Sequence, residues 1–137
     1  LKKLPGFLEN RRLNYELLAN DLIGSGLKVL PAPINERFSS SHYCLSIILD
    51  KKLTLIRHEI MEELTKKGIG SSIYYPQPVP RMIYYKNKYG YDNKKFQNAE
   101  KISDSCISIP VGPHLKEGDI KTISAELIKI IKLKKNE

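Results

Sequence analysis

The residues with the most chemical potential lie together in Ser71–Tyr91, SSIYYPQPVPRMIYYKNKYGY, which holds six of the chain's eight tyrosines. Tyr74 and Tyr75 precede prolines at alternate positions, Pro76, Pro78 and Pro80, and Arg81, Tyr84, Tyr85, Lys86 and Lys88 come after them. A phenol has a broad apolar face and a hydroxyl that both donates and accepts. The alternating prolines hold the backbone near polyproline II and so fix the distance between the chain segments on either side. Residue types alone leave several readings open. The segment suits a nucleic-acid platform with Tyr on bases and Lys or Arg on phosphates, a ligand or dimer-partner loop, or plain cover for a sheet edge.

Other reactive types are scattered. His58 and Glu62 stand one helical turn apart, but the zinc-protease pattern needs a second His there, and a solvated helix face is the favoured reading. His42 opens an alternating segment beside Tyr43 with no base or nucleophile partner nearby, so a partly buried histidine is expected. His114 follows Gly112-Pro113, where a turn or capping role is expected. Cys44 and Cys106 form no CxxC pair and fall in strand-like segments, which suits buried thiols in a reducing compartment. Gly68-Ile69-Gly70 is too short for a phosphate loop and leads towards a strand pattern rather than a helix. No catalytic residue and no metal ligand set is assigned.

These groups must be positioned by a modest scaffold. The 137 residues suit one domain, and 41% hydrophobic with 28% charged residues is ordinary globular usage. The net charge of +8 is spread along the chain and reads as solvated surface. Its one dense cluster, IIKLKKNE, complements the negative end of a final helix. No run approaches the roughly 18 apolar residues of a membrane helix, and a cytoplasmic location is expected. Residue 1 is Leu, so a piece of a longer protein is expected.

Periodicity supplies the elements. FLENRRLNYELLANDLIGSG predicts a helix with Leu8, Tyr15, Leu18 and Leu22 near one face, ended by Gly24 and Gly26. LKVLPAPINE is extended around Pro31 and Pro33. SHYCLSIILD alternates, with Tyr43, Leu45, Ile47 and Leu49 on one face of a strand. KLTLIRHEIMEELTKKG predicts a single helix with Leu53, Ile56, Ile60 and Leu64 as its stripe and Gly68 as its stop. IGSSIYY predicts a second strand cut off by Pro76, followed by a long loop. NAEKISDS predicts a short helix and CISIPVG a third strand. DIKTISAELIKIIKLKK predicts a last helix packing Ile120, Ile123, Leu127, Ile130 and Ile131, with a poor cap at Lys116. The order fits an α+β arrangement, a small mostly antiparallel sheet with helices on one face. Connections longer than about 12–15 residues usually carry function, which returns attention to the tyrosine segment.

Four motifs in this order, NRRLNYELLANDL, SSSHYCLSIIL, LTKKGIGSSIYYPQPVP and NAEKISDSCISIPVGPHLKEGDIKTI, resemble the C-terminal part of the DegT/DnrJ/EryC1/StrS family. These are pyridoxal 5'-phosphate (PLP)-dependent aminotransferases acting mainly on keto sugars attached to nucleotides, in amino-sugar and surface-polysaccharide biosynthesis. The resemblance covers nearly the whole chain. It implies the small domain of a fold-type I PLP enzyme, with residues 1–24 as a connecting helix and 25–137 as the small C-terminal domain. It implies an upstream large domain carrying PLP, a homodimer with shared active sites, and no nucleic-acid or membrane partner. It also implies that the loop after the YYP segment faces the nucleotide-linked sugar, with Tyr75, Tyr84, Tyr85, Arg81 and His42 as substrate contacts. Tyrosine faces suit a sugar, and the guanidinium of Arg81 suits a diphosphate.

Two departures qualify this. The family often has Tyr-Pro-x-Pro-Leu-His with a Tyr five residues after the His; here Pro80 takes the His position while Tyr85 keeps the later one. No lysine here sits in the family's cofactor motif, so this chain alone is expected to hold no PLP and to be inactive in transamination. The rival readings are a stand-alone basic RNA-binding module using Tyr74, Tyr75, Tyr84 and Tyr85, and a non-catalytic dimerisation domain.

Overall fold

The structure is a computed structural model, and it describes residues 1–32, 37–92 and 94–136. The extended reading around Pro33 lies outside the described residues. Helix α1 runs Leu4–Gly24 with Pro5 in its first turn, where the missing N–H is no loss. Strand β1 is the short Lys28–Val29, and β2 is Cys44–Ile48. Helices α2 and α3 come next at Lys51–Leu55 and Arg57–Lys66. A 3-10 turn at Val79–Arg81 leads to α4, Ile83–Tyr89. Helix α5, Gln97–Ser105, runs directly into β3, Cys106–Pro110, and α6 spans Glu117–Asn136.

The sheet has order β1-β2-β3 and both pairings are antiparallel. In register, Leu45 faces Ile109 and Ile47 faces Ile107, so one face carries a continuous apolar surface. Tyr15, Leu18 and Leu22 of α1 and Ile120, Leu127 and Ile131 of α6 close over it in one core, together with the fully buried Leu53 of α2 and Ile60 and Leu64 of α3. Burial of each such side chain stabilises by about 1.5–3 kcal/mol. The other face is small and polar: Ser46 and Ser108 join Oγ to Oγ at 2.9 Å, and Cys44 and Cys106 lie on either side. Both thiols are free, and burial pushes that of Cys106 upward in pKa.

Four expectations are corrected. Leu8 lies on an exposed part of α1, and Asn14 and Ala19 join the buried stripe instead. The single helix after β2 is two, because the chain breaks at Ile56 (φ −110°, ψ 21°). Asp50 caps α2 through the Leu53 N–H, and Arg57 opens α3 by donating to Ser103 O at 2.7 Å. The strand expected in IGSSIYY is reduced to one bridge, Ser72 to Ser108, because the residues beyond it leave the sheet towards prolines that lack an N–H. The long loop holds α4, since Ile83–Tyr89 contains neither Pro nor Gly and places Tyr85 and Tyr89 one turn apart.

Local signals explain the remaining boundaries. Gly68 has φ 75°, a conformation costly for any side chain, and there the Ile69 N–H reaches back to Leu64 O at 2.9 Å to close α3. The start of α6 is better capped than Lys116 suggests, because Asp119 accepts from the Lys116 N–H at 2.8 Å.

Candidate functional site

Pro78 has φ −66° and ψ 146°, the extended geometry expected of the proline run. The chain then tightens into the 3-10 turn, and Arg81 N–H donates to Pro78 O at 2.9 Å. Beyond Met82, α4 lays its tyrosines along one side. Tyr84 and Tyr85 meet edge to face at 5.2 Å between centroids, and Tyr85 and Tyr89 lie near-parallel at 6.4 Å. After Gly90 the chain turns back, and Tyr91 and Phe96 form a second near-parallel pair at 6.4 Å. A groove of about 480 Å³ lies between these pairs, with Val79 and Pro80 at one wall and Asp92 and Lys95 at the rim. Lys88 sits over the rings of Tyr84 and Tyr89 at 5.6 and 5.3 Å, a cation–π arrangement that fixes the aromatic face.

Arg81 is placed differently from the expectation that its fork is open to a diphosphate. Nη1 donates to Asp104 Oδ2 at 3.0 Å and Nη2 to Oδ1. These hydrogen bonds raise the guanidinium pKa and lower that of the Asp104 carboxyl. The pair ties the 3-10 turn to α5, and so sets where α4 and its tyrosines stand.

Tyr75 is well exposed at 73% and packs edge-on to Tyr74 at 5.9 Å, across a cis peptide bond. Tyr74 in turn leans on Tyr43 at 5.9 Å, and Arg11 lies over the Tyr43 ring. Tyr43 and Tyr74 line a second cleft, of about 310 Å³, with Ser72, Ser108 and His114. The structure thus gathers Tyr84 and Tyr85 in one lobe and sets Tyr75 with Tyr43 and Tyr74 in another cluster. His42 belongs to neither: it is 5% exposed, and its ring lies 4.9 Å from that of Tyr15. Tyr15 meanwhile accepts from the Ala32 N–H and donates to Leu30 O, and burial pushes its phenol upward in pKa. His58 is exposed, and among the described residues no group of three His, Cys, Asp or Glu is arranged for a metal. His114 packs its ring on Gly112, whose carbonyl accepts from Asn14 Nδ2 at 3.0 Å.

Sequence reasoning missed Tyr89, Tyr91, Phe96 and Asp104. The i,i+4 spacing of Tyr85 and Tyr89 was the available signal for the first. Nothing local marks Asp104 as the partner of a residue in the preceding loop.

An α+β unit of this shape, with an aromatic lobe projecting between its second and third strands, has close counterparts. Residues 1–128 match the DegT/DnrJ/EryC1/StrS aminotransferase family, and the chain belongs to it. It is 27% identical over 134 residues to dTDP-4-dehydro-2,3,6-trideoxy-D-glucose 4-aminotransferase of Saccharopolyspora spinosa, covering 96% of this chain and 32% of that protein. In fold it resembles the putative sugar aminotransferase Spr1654 of Streptococcus pneumoniae, with a TM-score of 0.85 at 24% identity, covering 99% of this chain and 33% of that one. Structures of that protein include PMP and PLP forms. Helicobacter pylori PseC, an aminotransferase of pseudoaminic acid biosynthesis, gives a TM-score of 0.83 at 21% identity over 97% of this chain and 35% of its own. The chain therefore spans about a third of the length of these relatives.

Among the described residues, every lysine is exposed or half-exposed. A lysine that holds PLP needs an enclosed position with an acid paired to the ring nitrogen. Within this chain, none of the described lysines has that enclosure.

No helix of the described residues is long and apolar enough to cross a membrane.

Proposed function

We propose that this chain is the substrate-facing C-terminal part of an aminotransferase for a nucleotide-linked keto sugar, active as a dimer in the cytoplasm. Residues 25–137 form the small domain and 1–24 the helix that leads into it. PLP, when bound by an upstream large domain, supplies the electron sink for amino transfer; no step of that chemistry falls to residues described here. The observation that carries the reading is the aromatic lobe: Tyr84, Tyr85 and Tyr89 present a preformed ring surface beside a groove. Such rings offer a sugar both CH–π contact and hydroxyl partners. Tyr75 contributes a further exposed ring. Arg81 acts through Asp104 as a positioning residue rather than as a direct phosphate ligand. His42, buried against the Tyr15 ring, takes a structural part rather than a direct substrate contact.

The test separates the two half-reactions in a polypeptide that joins this segment to the cofactor-bearing domain. Tyr85→Ala is expected to raise the KM for the sugar nucleotide by about tenfold, the equivalent of roughly 1.4 kcal/mol of binding, and to leave the amino-donor half-reaction unchanged. Arg81→Ala should act in the same direction and be partly restored by Arg81→Lys, which keeps a charge for Asp104. Equal damage to both half-reactions would move these residues to the cofactor and reject the reading. Strongly salt-dependent binding of single-stranded RNA by the tyrosine lobe would replace it with the nucleic-acid alternative.

A further inference from the structure

At the far end of the sheet, four lysines from four elements line one concavity of about 400 Å³. They are Lys28 of β1, Lys51 of α2, Lys101 of α5 and Lys135 of α6. The one acid among the described lining residues is Asp50, which pairs with Lys135 at 3.6 Å and is already engaged in capping α2. Lys28, Lys51 and Lys101 make no ion pair among the described residues. Between α3 and α6, by contrast, two lysines meet acids across elements: Lys67 reaches Glu126 and Lys134 reaches Glu59. The floor of the concavity is apolar, made by Leu27, Ile48, Leu49 and Leu53, of which Leu49 and Leu53 are buried.

Like charges delivered to one concavity by distant parts of the chain repel one another, and a low-dielectric floor focuses their field outward. A bound anion relieves that repulsion. An ammonium is a point charge that meets a phosphate oxygen without a fixed geometry. Among the described residues no aromatic ring lines the concavity, so it offers nothing for a base to stack on, and charges converging on one hollow suit a compact ligand better than an extended strand. It is also separate from the second cleft, the one lined by Tyr43 and Tyr74. Ile48, Leu49 and Asp50 lie at the C-terminal end of β2, while Tyr43 and Cys44 line the tyrosine-side cleft at its N-terminal end. At about 3.3 Å per residue the ends of that strand stand roughly 15 Å apart. We propose that this lysine concavity is a second binding site, for a compact oligophosphate carrying several negative charges.

Inorganic triphosphate is the probe, titrated into the chain at low ionic strength by calorimetry and by amide chemical-shift mapping. The expected result is saturable one-to-one binding with shifts at Lys28, Ile48 to Lys51, Lys101 and Lys135. The variant Lys28→Gln/Lys51→Gln/Lys101→Gln should bind about tenfold or more weakly, through the loss of charge-assisted contacts. The control Lys66→Gln/Lys121→Gln, at exposed lysines outside the concavity, should bind as the unaltered chain does. Binding should vanish near 1 M salt, where the screening length is about 3 Å. The shift map of the unaltered chain gives an answer even if the triple variant folds poorly. Shifts scattered over all lysines, absence of saturation, or unchanged affinity in the triple variant would overturn the proposal. So would a single-stranded oligonucleotide that displaces triphosphate while shifting residues well beyond the concavity, since that is the behaviour of an extended basic surface.

Discussion

The link between Arg81 and Asp104 should appear as a coupling energy that disappears in acid. Its two parallel hydrogen bonds are the geometry that makes charge-assisted pairs strong, worth up to about 1.5–3 kcal/mol when shielded. Here the side chains are 31% and 46% exposed. Solvent screening at that exposure brings the expected coupling to about 1 kcal/mol. The assay is a double-mutant cycle of Arg81→Ala, Asp104→Ala and the pair, with stability taken from urea unfolding. The hydrogen bonds from Arg81 hold the folded Asp104 carboxyl below its ordinary pKa. A depressed folded pKa gives stability that is fully present above the unfolded value of about 3.9. It is lost as pH falls through the folded value. Arg81 stays charged throughout this range, so the carboxylate alone sets the window. A coupling near zero at pH 7, or one that persists at about pH 2, would refute the claim that this pair anchors the tyrosine lobe.

Three other contacts give further expected outcomes. A Cβ on Gly112 would lie 2.5 Å from Cε1 of His114, an exposed ring that is free to swing aside, so Gly112→Ala should cost only about 0.5 kcal/mol in urea unfolding, and adding His114→Ala should remove that cost. Asp50→Ala removes the cap on the Leu53 N–H, made at 3.0 Å, and should lower stability by about 1 kcal/mol. Leu127 is 0% exposed between α6 and the sheet, so Leu127→Ala should cost about 3–4 kcal/mol as a cavity opens in the core, with a matching fall in thermal midpoint.

Much of the scaffold was legible because its signals are local. The stripe of Ile120, Ile123, Leu127, Ile130 and Ile131 has helical spacing, and all five residues are buried. The alternation of Leu45 and Ile47 likewise gives the buried face of β2. The misreadings fall where a distant partner decides. Ile56 fits a continuous apolar stripe, yet the helix breaks there while Arg57 reaches the carbonyls of Ser103 and Cys106. Ser72 looks like the middle of a strand, yet only Ser108 pairs with it. The tyrosine segment was legible as unusual, but not its shape, because prolines masked the short helix behind them. Arg81 was legible as a cation in a loop, and its engagement by Asp104 was not, because spacing carries no record of which acid a folded chain brings near.

The single bridge at Ser72 has a bearing on solubility. β3 is an edge strand, and an open edge is a template for pairing with another chain. Ser108 exchanges both backbone hydrogen bonds with Ser72 on the side away from β2, so by the alternation of an antiparallel ladder the outward backbone groups are those of Cys106, Ser108 and Pro110. The Cys106 N–H is taken by Ile102 O at the end of α5. The Ser108 N–H is taken by Ser72 O at 2.7 Å, and its carbonyl accepts from the Ser72 N–H at 3.0 Å. Pro110 has no N–H to give. Every donor along that edge is therefore occupied or absent, and one short clip does the work of a whole additional strand. Loss of the clip would free the central donor and acceptor of a buried apolar strand, so changes around Ser71–Ile73 should register first as self-association and only later as loss of fold.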